Sequence, residues 1–258
     1  MAVPHALVLR APGSNCDQEA ATAFEMAGAK VERLHVNEVR ENPRLLRRFQ
    51  ILTVPGGFSY GDDIAAGKVF ALQLQHFLAD ALRRFRDDEK LVLGICNGFQ
   101  AILKAGLLVP PDEDGPLATL GFNENGRFED RWVKLRATPG KCVFLKGVTE
   151  LNVPVAHGEG NFVGRKEWIV RGLDQAEQVV LRYAGATGPA NGYPENPNGS
   201  QDDIAGICDA TGRVLGLMPH PERHIFPTQH PQWTRLGLKP EGEGMQVFRN
   251  AVEFFAST

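Results

Sequence analysis

With 258 residues, 43% of them hydrophobic, the chain is long enough to bury a sizeable core. Its 28 basic and 31 acidic residues leave a formal charge of −3, so no basic excess points to nucleic acid and no block of like charge forms a tail. Apolar runs such as Leu91–Cys96 fall far short of the ~20 residues that span a bilayer, and Met1-Ala-Val-Pro-His5 lacks the basic and apolar regions of a secretory signal, so a cytoplasmic protein without a membrane anchor is expected.

From the N-terminus, strand and helix patterns alternate. His5–Arg10 reads as a short apolar strand. Ser14-Asn15-Cys16-Asp17 offers N-cap chemistry to a helix over Gln18–Ala27, stopped by Gly28. Lys30–Val36 reads as a strand and Pro43–Phe49 as a short basic helix. Ile51–Val54 is a buried strand ended by Pro55-Gly56-Gly57. Apolar spacing from Val69 to Phe85 predicts one helix. Leu91–Ile95 is another buried strand, and a helix over Gly98–Ala105 follows, closed by Gly106. Strands separated by helices imply right-handed crossovers and a mostly parallel central sheet flanked by helices. The second half changes character. Arg131–Arg136, Cys142–Leu145, Val153–Ala156, Gln178–Tyr183, Ile204–Asp209 and Val214–Leu217 are strand candidates, with Asp209-Ala-Thr-Gly212 as a hairpin turn. Met245–Phe255 is the last helix. The expectation is one α/β domain over residues 1–258, with additional antiparallel strands in its second half.

Three segments carry chemistry. In Leu91-Val-Leu-Gly-Ile-Cys96-Asn-Gly-Phe-Gln100, a buried strand runs into G-x-C-x-G and then a helix. This is the cysteine counterpart of a nucleophile elbow. It would project Cys96 from the carboxyl edge of the sheet, over a helix N-terminus that favours thiolate. The other cysteines, Cys16, Cys142 and Cys208, form no C-x-x-C pair and read as reduced, chemically idle thiols. In Leu217-Met-Pro-His220-Pro-Glu222, prolines bias the backbone to an extended form, which would put His220 and Glu222 on one side. A carboxylate that orients an imidazole, which in turn acts on a thiol, completes a triad in the order Cys…His…Glu. Val54-Pro-Gly-Gly57-Phe-Ser-Tyr-Gly-Asp62-Asp63 follows another sheet strand. Its glycine amides, with the amide after the nucleophile at Asn97, suit an oxyanion hole.

Taken in this order, the three motifs resemble the class I, triad-type glutamine amidotransferases, whose fold is flavodoxin-like. Further stretches are similar to the glutaminase subunits of phosphoribosylformylglycinamidine synthase, the PurQ type. These are Gly56-Gly-Phe-Ser-Tyr-Gly-Asp62, Ala156-His-Gly-Glu-Gly160, Tyr193-Pro-Glu-Asn-Pro-Asn-Gly-Ser200 and Met218-Pro-His-Pro-Glu-Arg223. The resemblance runs over roughly residues 5–223 and the last helix. It implies Cys96 as nucleophile, His220 as base and then acid, and Glu222 as its orienter. Gly57 and Asn97 would supply oxyanion amides, and Gln100, His157, Gly158 and Glu159 would help hold glutamine. It also implies ammonia delivery, within purine biosynthesis, to a PurL-type synthetase that binds ATP, Mg and formylglycinamide ribonucleotide. In some members a small PurS-type subunit bridges the two. No cofactor is expected in this chain itself.

One stretch departs from the pattern: Arg223–Gly244 is longer than the family's compact C-terminus and reads as an extended surface loop. Its histidines, with His220, lack a cysteine or close carboxylate set to complete a metal site, so no metal is expected. Two competing readings share the motifs in part. One is a glutaminase serving GMP, CTP or carbamoyl phosphate synthesis; the other is a non-catalytic binding protein on the same fold. Tyr193–Ser200 and the His157–Gly160 turn favour the purine enzyme over the first, and the intact Cys96, His220 and Glu222 argue against the second.

Overall fold

The computed structural model describes residues 3–256. The alternation read in the first half becomes β1 (His5–Arg10), α1 (Asp17–Met26), β2 (Lys30–His35), α2 (Val36–Glu41), β3 (Ile51–Val54), α3 (Lys68–Phe77), α4 (Ala79–Asp87), β4 (Leu91–Ile95) and α5 (Asn97–Lys104). The second half supplies β5 (Ala118–Phe122), β6 (Glu129–Ala137), β7 (Glu150–His157), β8 (Glu159–Gly164), α6 (Glu167–Gln175), β9 (Val179–Ala184), β10 (Ile204–Cys208), β11 (Val214–Leu217), α7 (Trp233–Leu236) and α8 (Met245–Ala256).

Nine strands form one sheet in the order β2-β1-β3-β4-β11-β10-β9-β6-β7. The first five run parallel. From β11 onward each neighbour is antiparallel. β3 and β4 are buried along their whole length, as strands covered on both faces must be. β7 instead alternates buried and half-buried residues, which marks a strand with one covered face. β5 and β8 pair as a separate antiparallel ribbon. On the helical side, α1 and α8 meet through Phe24 and Phe248, edge to face at 4.9 Å.

The sequence reading differs from the fold at several points. The single helix expected over Val69–Phe85 is two, α3 and α4, broken at the buried Leu78 (φ −121°, ψ 1°). The apolar spacing Leu74, Leu78, Leu82 continues across the break, so periodicity alone cannot show it. Cys142–Leu145 is not a strand. Val143–Leu145 is a 3-10 turn, and the carbonyls of Phe144 and Lys146 accept from Asn250 Nδ2 on α8 at 2.8 and 2.9 Å. A four-residue apolar run is satisfied equally well by a sheet neighbour or by such a side-chain cap. The short basic helix expected over Pro43–Phe49 is present as a 3-10 helix over Pro43–Arg48. β5, β8 and α6 had no counterpart in the sequence reading.

Residues 223–244 do not lie free along their length. His224 and His230 are buried against Trp132 of β6, with ring centroids 4.9 and 4.7 Å away. His224 Nδ1 donates to the Asn152 carbonyl at 2.6 Å, and the Asn152 amide donates to Glu243 at 2.7 Å. Burial lowers the pKa of His224, consistent with a neutral ring used for packing. Leu236 and Leu238 are exposed. No helix among the described residues is long and apolar enough to cross a membrane.

Candidate active site

Parallel β3, β4 and β11 end at one edge of the sheet, and each delivers one of the three motifs there. Cys96, directly after β4, has φ 51° and ψ −109°, a left-handed conformation that a non-glycine residue adopts only when its surroundings enforce it. Two of those surroundings are local. The Cys96 amide donates to the Leu217 carbonyl of β11 at 2.8 Å. Gly98 lets α5 lie against β3, since a Cβ there would stand 1.8 Å from the Val54 carbonyl oxygen. The thiol itself points toward the Ala156 carbonyl of β7, at 3.7 Å.

β11 leads through Met218-Pro219 to His220, whose amide donates to the Pro154 carbonyl at 2.8 Å. Glu222 does not continue an extended segment, as the prolines suggested; it lies in a 3-10 turn over Pro221–Arg223. The turn still delivers the pair: His220 Nδ1 and Glu222 Oε1 are 2.6 Å apart, both side chains buried. Burial opposes a charge on the ring. The Glu222 carboxylate, the Cys96 thiol and hydrogen bonding to both thiols outweigh it and hold the His220 pKa well above its ordinary value. His220 Nε2 is buried with no aligned partner.

Gly56 is where these groups converge. A Cβ at this position would lie 2.8 Å from His220 Cε1, 3.2 Å from Cys16 Sγ and 3.4 Å from Cys96 Cβ. Gly57 has φ 138° and faces Gly13 so closely that a Cβ would meet the Gly13 oxygen at 2.5 Å. The loop beyond is tied to the elbow by Asn97. Its side-chain nitrogen donates to Asp62 and to Gln100 at 3.0 Å each, and its oxygen accepts from the Ser59 amide at 3.3 Å.

A cavity of about 140 Å³ opens over the thiol, lined by Gly57, Cys96, Gln100, His157, Gly158 and Glu159, with Phe58, Phe122 and Phe128 at its mouth. All four expected glutamine-holding residues therefore share one cavity, whereas His220 and Glu222 lie behind Cys96 and do not line it. A larger cavity, about 720 Å³ between Arg44 and Arg84, contains none of these residues. Some of the lining groups are already engaged. Gln100 donates to the Glu159 carbonyl, and the Glu159 carboxylate accepts from the Ala66 amide at 3.2 Å. His157 is neutral: burial, with the nearby His220 charge, drives its pKa down to about 3. Asn123 gives its nitrogen to the carbonyls of Arg127 and His157, so its oxygen accepts from His157 Nδ1–H at 3.1 Å. That leaves Nε2 as a bare, buried acceptor.

Tyr193–Ser200 supports this wall from behind. Ser200 Oγ donates to the Gly160 carbonyl at 3.2 Å and accepts from the Phe162 amide at 2.9 Å, and Asn198 Nδ2 donates to Tyr183 at 3.0 Å.

Cys16 is the residue the sequence reading missed. Read as an idle thiol, it sits 3.8 Å from His220 Nδ1. The signal available was positional: Cys16 follows β1, a parallel strand beside β3, and loops at the carboxyl ends of such strands build the site. Cys16, His220 and Glu222 are also the one His, Cys, Asp or Glu trio among the described residues whose ligand atoms gather within 4.8 Å. A metal does not suit them, because ligands on a tetrahedral ion stand about 3.4 Å apart. The His220–Glu222 separation of 2.6 Å is that of a direct hydrogen bond.

A catalytic-type cysteine elbow beside a buried His–Glu pair, on a mixed α/β sheet, is the arrangement of a glutamine amidotransferase. Residues 3–255 match the family described as the CobB/CobQ-like glutamine amidotransferase domain, and the chain belongs to that family. Within it, the chain is similar to phosphoribosylformylglycinamidine synthase subunit PurQ of Dehalococcoides mccartyi, with 47% identity over 96% of each chain. It is also similar to the subunit of that name from Methanococcus maripaludis, with 43% identity over 98% of each. A solved structure of PurLQS from Thermotoga maritima contains a chain superposing with a TM-score of 0.74 at 30% identity, covering 98% of this chain and 100% of that one.

Proposed function

We propose that this chain is the glutaminase subunit of phosphoribosylformylglycinamidine synthase. The observation that carries the reading is the buried His220–Glu222 hydrogen bond at 2.6 Å behind an elbow cysteine, in a chain 47% identical to a PurQ subunit. The thiolate of Cys96 attacks the side-chain amide carbon of glutamine. Negative charge grows on the amide oxygen, toward the amides of Gly57 and Asn97, whose helix-terminal N–H has no partner within α5. An amide nitrogen leaves only when protonated, so His220 gives it the proton and ammonia departs from a glutamyl thioester. His220 then takes a proton from the water that cleaves the thioester, releasing glutamate and the free thiol. Glu222 orients the ring and favours its cationic form, which the raised pKa reflects. Gln100, His157, Gly158 and Glu159 form the wall against which glutamine lies.

The ammonia passes to a PurL-type synthetase, where ATP and Mg are used to amidinate formylglycinamide ribonucleotide; a PurS-type subunit completes the assembly. The PurLQS neighbour supports this partner over a GMP, CTP or carbamoyl phosphate synthetase. The whole chain acts as one cytoplasmic amidotransferase unit, with no cofactor of its own. The test is glutamine hydrolysis by the chain alone and with synthetase, ATP and nucleotide. Coupling predicts a low rate for the chain alone and a large rise in the complex. No glutamate formation under either condition would refute the reading.

A further inference from the structure

The turn that carries Glu222 is three residues long, too short to fix a side chain by its own hydrogen bonds. Its other flanks are held: His220 is bonded to β7, and the amide of Gly244, before α8, donates to the His224 carbonyl at 2.9 Å. The flank facing the imidazole is held by two side chains. Arg223 Nη2 donates to Cys16 Sγ at 3.1 Å, and the Cys16 thiol donates to Asn15 Oδ1 at 3.0 Å. Arg223 also reaches Glu19 in the first turn of α1, at 3.7 Å. Cys16 is almost fully buried and immediately precedes α1, so its sulfur is a fixed point rather than a mobile surface group.

We infer that Cys16 and Arg223 are positioning residues for the His220–Glu222 pair, the Cys16 sulfur anchoring the Arg223 guanidinium and so tying the triad turn to the start of α1. The inference rests on the glutaminase reading above. Cys16 does no chemistry on the substrate. Burial pushes its pKa up, and the nearby His220 ring and the charge of Arg223 do not reverse the shift. A neutral thiol can donate to Asn15 and accept from Arg223 at once, which a thiolate cannot. Its sulfur also walls the ring: His220 Nδ1 is committed to Glu222 at 2.6 Å, and the Cys16 sulfur lies 3.8 Å from the same nitrogen. Arg223 in turn lies close enough to the buried Glu222 carboxylate and to Glu19 for their charges to hold the guanidinium pKa up against burial.

The test uses the chain assembled with its synthetase. Glutamine-dependent kcat and KM are measured for Cys16→Ala, Cys16→Ser, Arg223→Lys and the Cys16→Ala/Arg223→Lys double variant. Ammonia-dependent synthesis and thermal midpoint are recorded on the same samples. Cys16→Ala should lower kcat about tenfold with KM for glutamine unchanged, the scale of losing one charge-assisted hydrogen bond. Cys16→Ser keeps a donor and an acceptor and should recover to within about threefold of the wild type. The double variant should be no slower than the slower single variant, because both changes cut one link. Ammonia-dependent synthesis should not change. A Cys16→Ala kcat equal to wild type would overturn the inference. So would a proportional rise in KM, a serine variant as slow as alanine, or additive effects in the double variant. If Cys16→Ala does not fold, Arg223→Lys decides alone: a normal kcat overturns the inference, and a lowered kcat at unchanged KM supports it. A wild-type complex that does not consume glutamine would instead refute the glutaminase reading.

Discussion

Adding one methyl group at Gly56 is the sharpest available probe of the site. Gly56 does not need a left-handed backbone, so alanine there introduces no φ strain, only volume. The new Cβ would stand 2.8 Å from His220 Cε1, against about 3.5–4.0 Å for a comfortable carbon–carbon contact. The imidazole must therefore move by roughly 1 Å. It has nowhere to go cheaply, since the ring is buried and held by Glu222 on one side and Cys16 on another. A misplacement of about 1 Å in a reacting group costs on the order of 10²-fold in rate, and overpacking of this kind costs roughly 1–3 kcal/mol of stability. Gly56→Ala should thus lower glutamine-dependent kcat about 100-fold while the complex still uses added ammonia normally. Single-turnover thioester formation, followed by quenching and mass spectrometry, reports the step directly. A variant that acylates within threefold of the wild-type rate would show that the imidazole is not confined as described.

Cys96→Ala should abolish glutamine-dependent synthesis and leave ammonia-dependent synthesis intact, whereas Cys142→Ala, outside the cavity over Cys96, should change neither; both are read in the reconstituted complex. His220→Ala removes both proton transfers and should lose on the order of 10²–10⁴-fold in acylation, with Glu222→Gln retaining measurable activity; slower acylation by Glu222→Gln than by His220→Ala would reverse the assigned roles. Since the Glu222 carboxylate is what raises the His220 pKa against burial, Glu222→Gln should move the alkaline limb of the acylation profile to lower pH; an unmoved limb would separate that limb from His220. His157 keeps its ring neutral down to about 3, so below an ordinary imidazole pKa of about 6.5 the unfolded chain takes up a proton that the folded chain refuses, and stability is lost as pH falls through that window. His157→Gln should therefore lose less stability than wild type between pH 7 and 4, measured by urea midpoints.

What the sequence disclosed, and what it withheld, follows from range. Cys96, His220, Glu222 and Gly57 were legible because each lies in a short motif, although the His220–Glu222 pair is brought together by a 3-10 turn and not by the extended backbone the prolines suggested. The parallel half of the sheet was legible because β3 and β4 are short buried runs between periodic helices. β5 and β8 escaped because Glu159-Gly-Asn-Phe-Val-Gly164 has weak strand character and is stabilised by its partner and by Ser200. Cys16 and Gly56 escaped for another reason: their importance is a contact between loops that follow different strands, and no spacing within either segment reports it. The burial of His224 and His230 under Trp132 likewise depends on β6, remote in sequence, so residues 223–244 read as more exposed than they are.

The seam strand β11, parallel to β4 on one side and antiparallel to β10 on the other, is what brings the elbow and the His220 segment together. Chains emerge from synthesis N-terminus first, so the segment bearing Cys96 appears long before the one bearing His220. Until β11 slots in beside β4, no Leu217 carbonyl receives the Cys96 amide and no imidazole faces the thiol. On the roles proposed for Cys96 and His220, the nascent polypeptide carries its nucleophile through translation disarmed, and closing the middle of the sheet arms it.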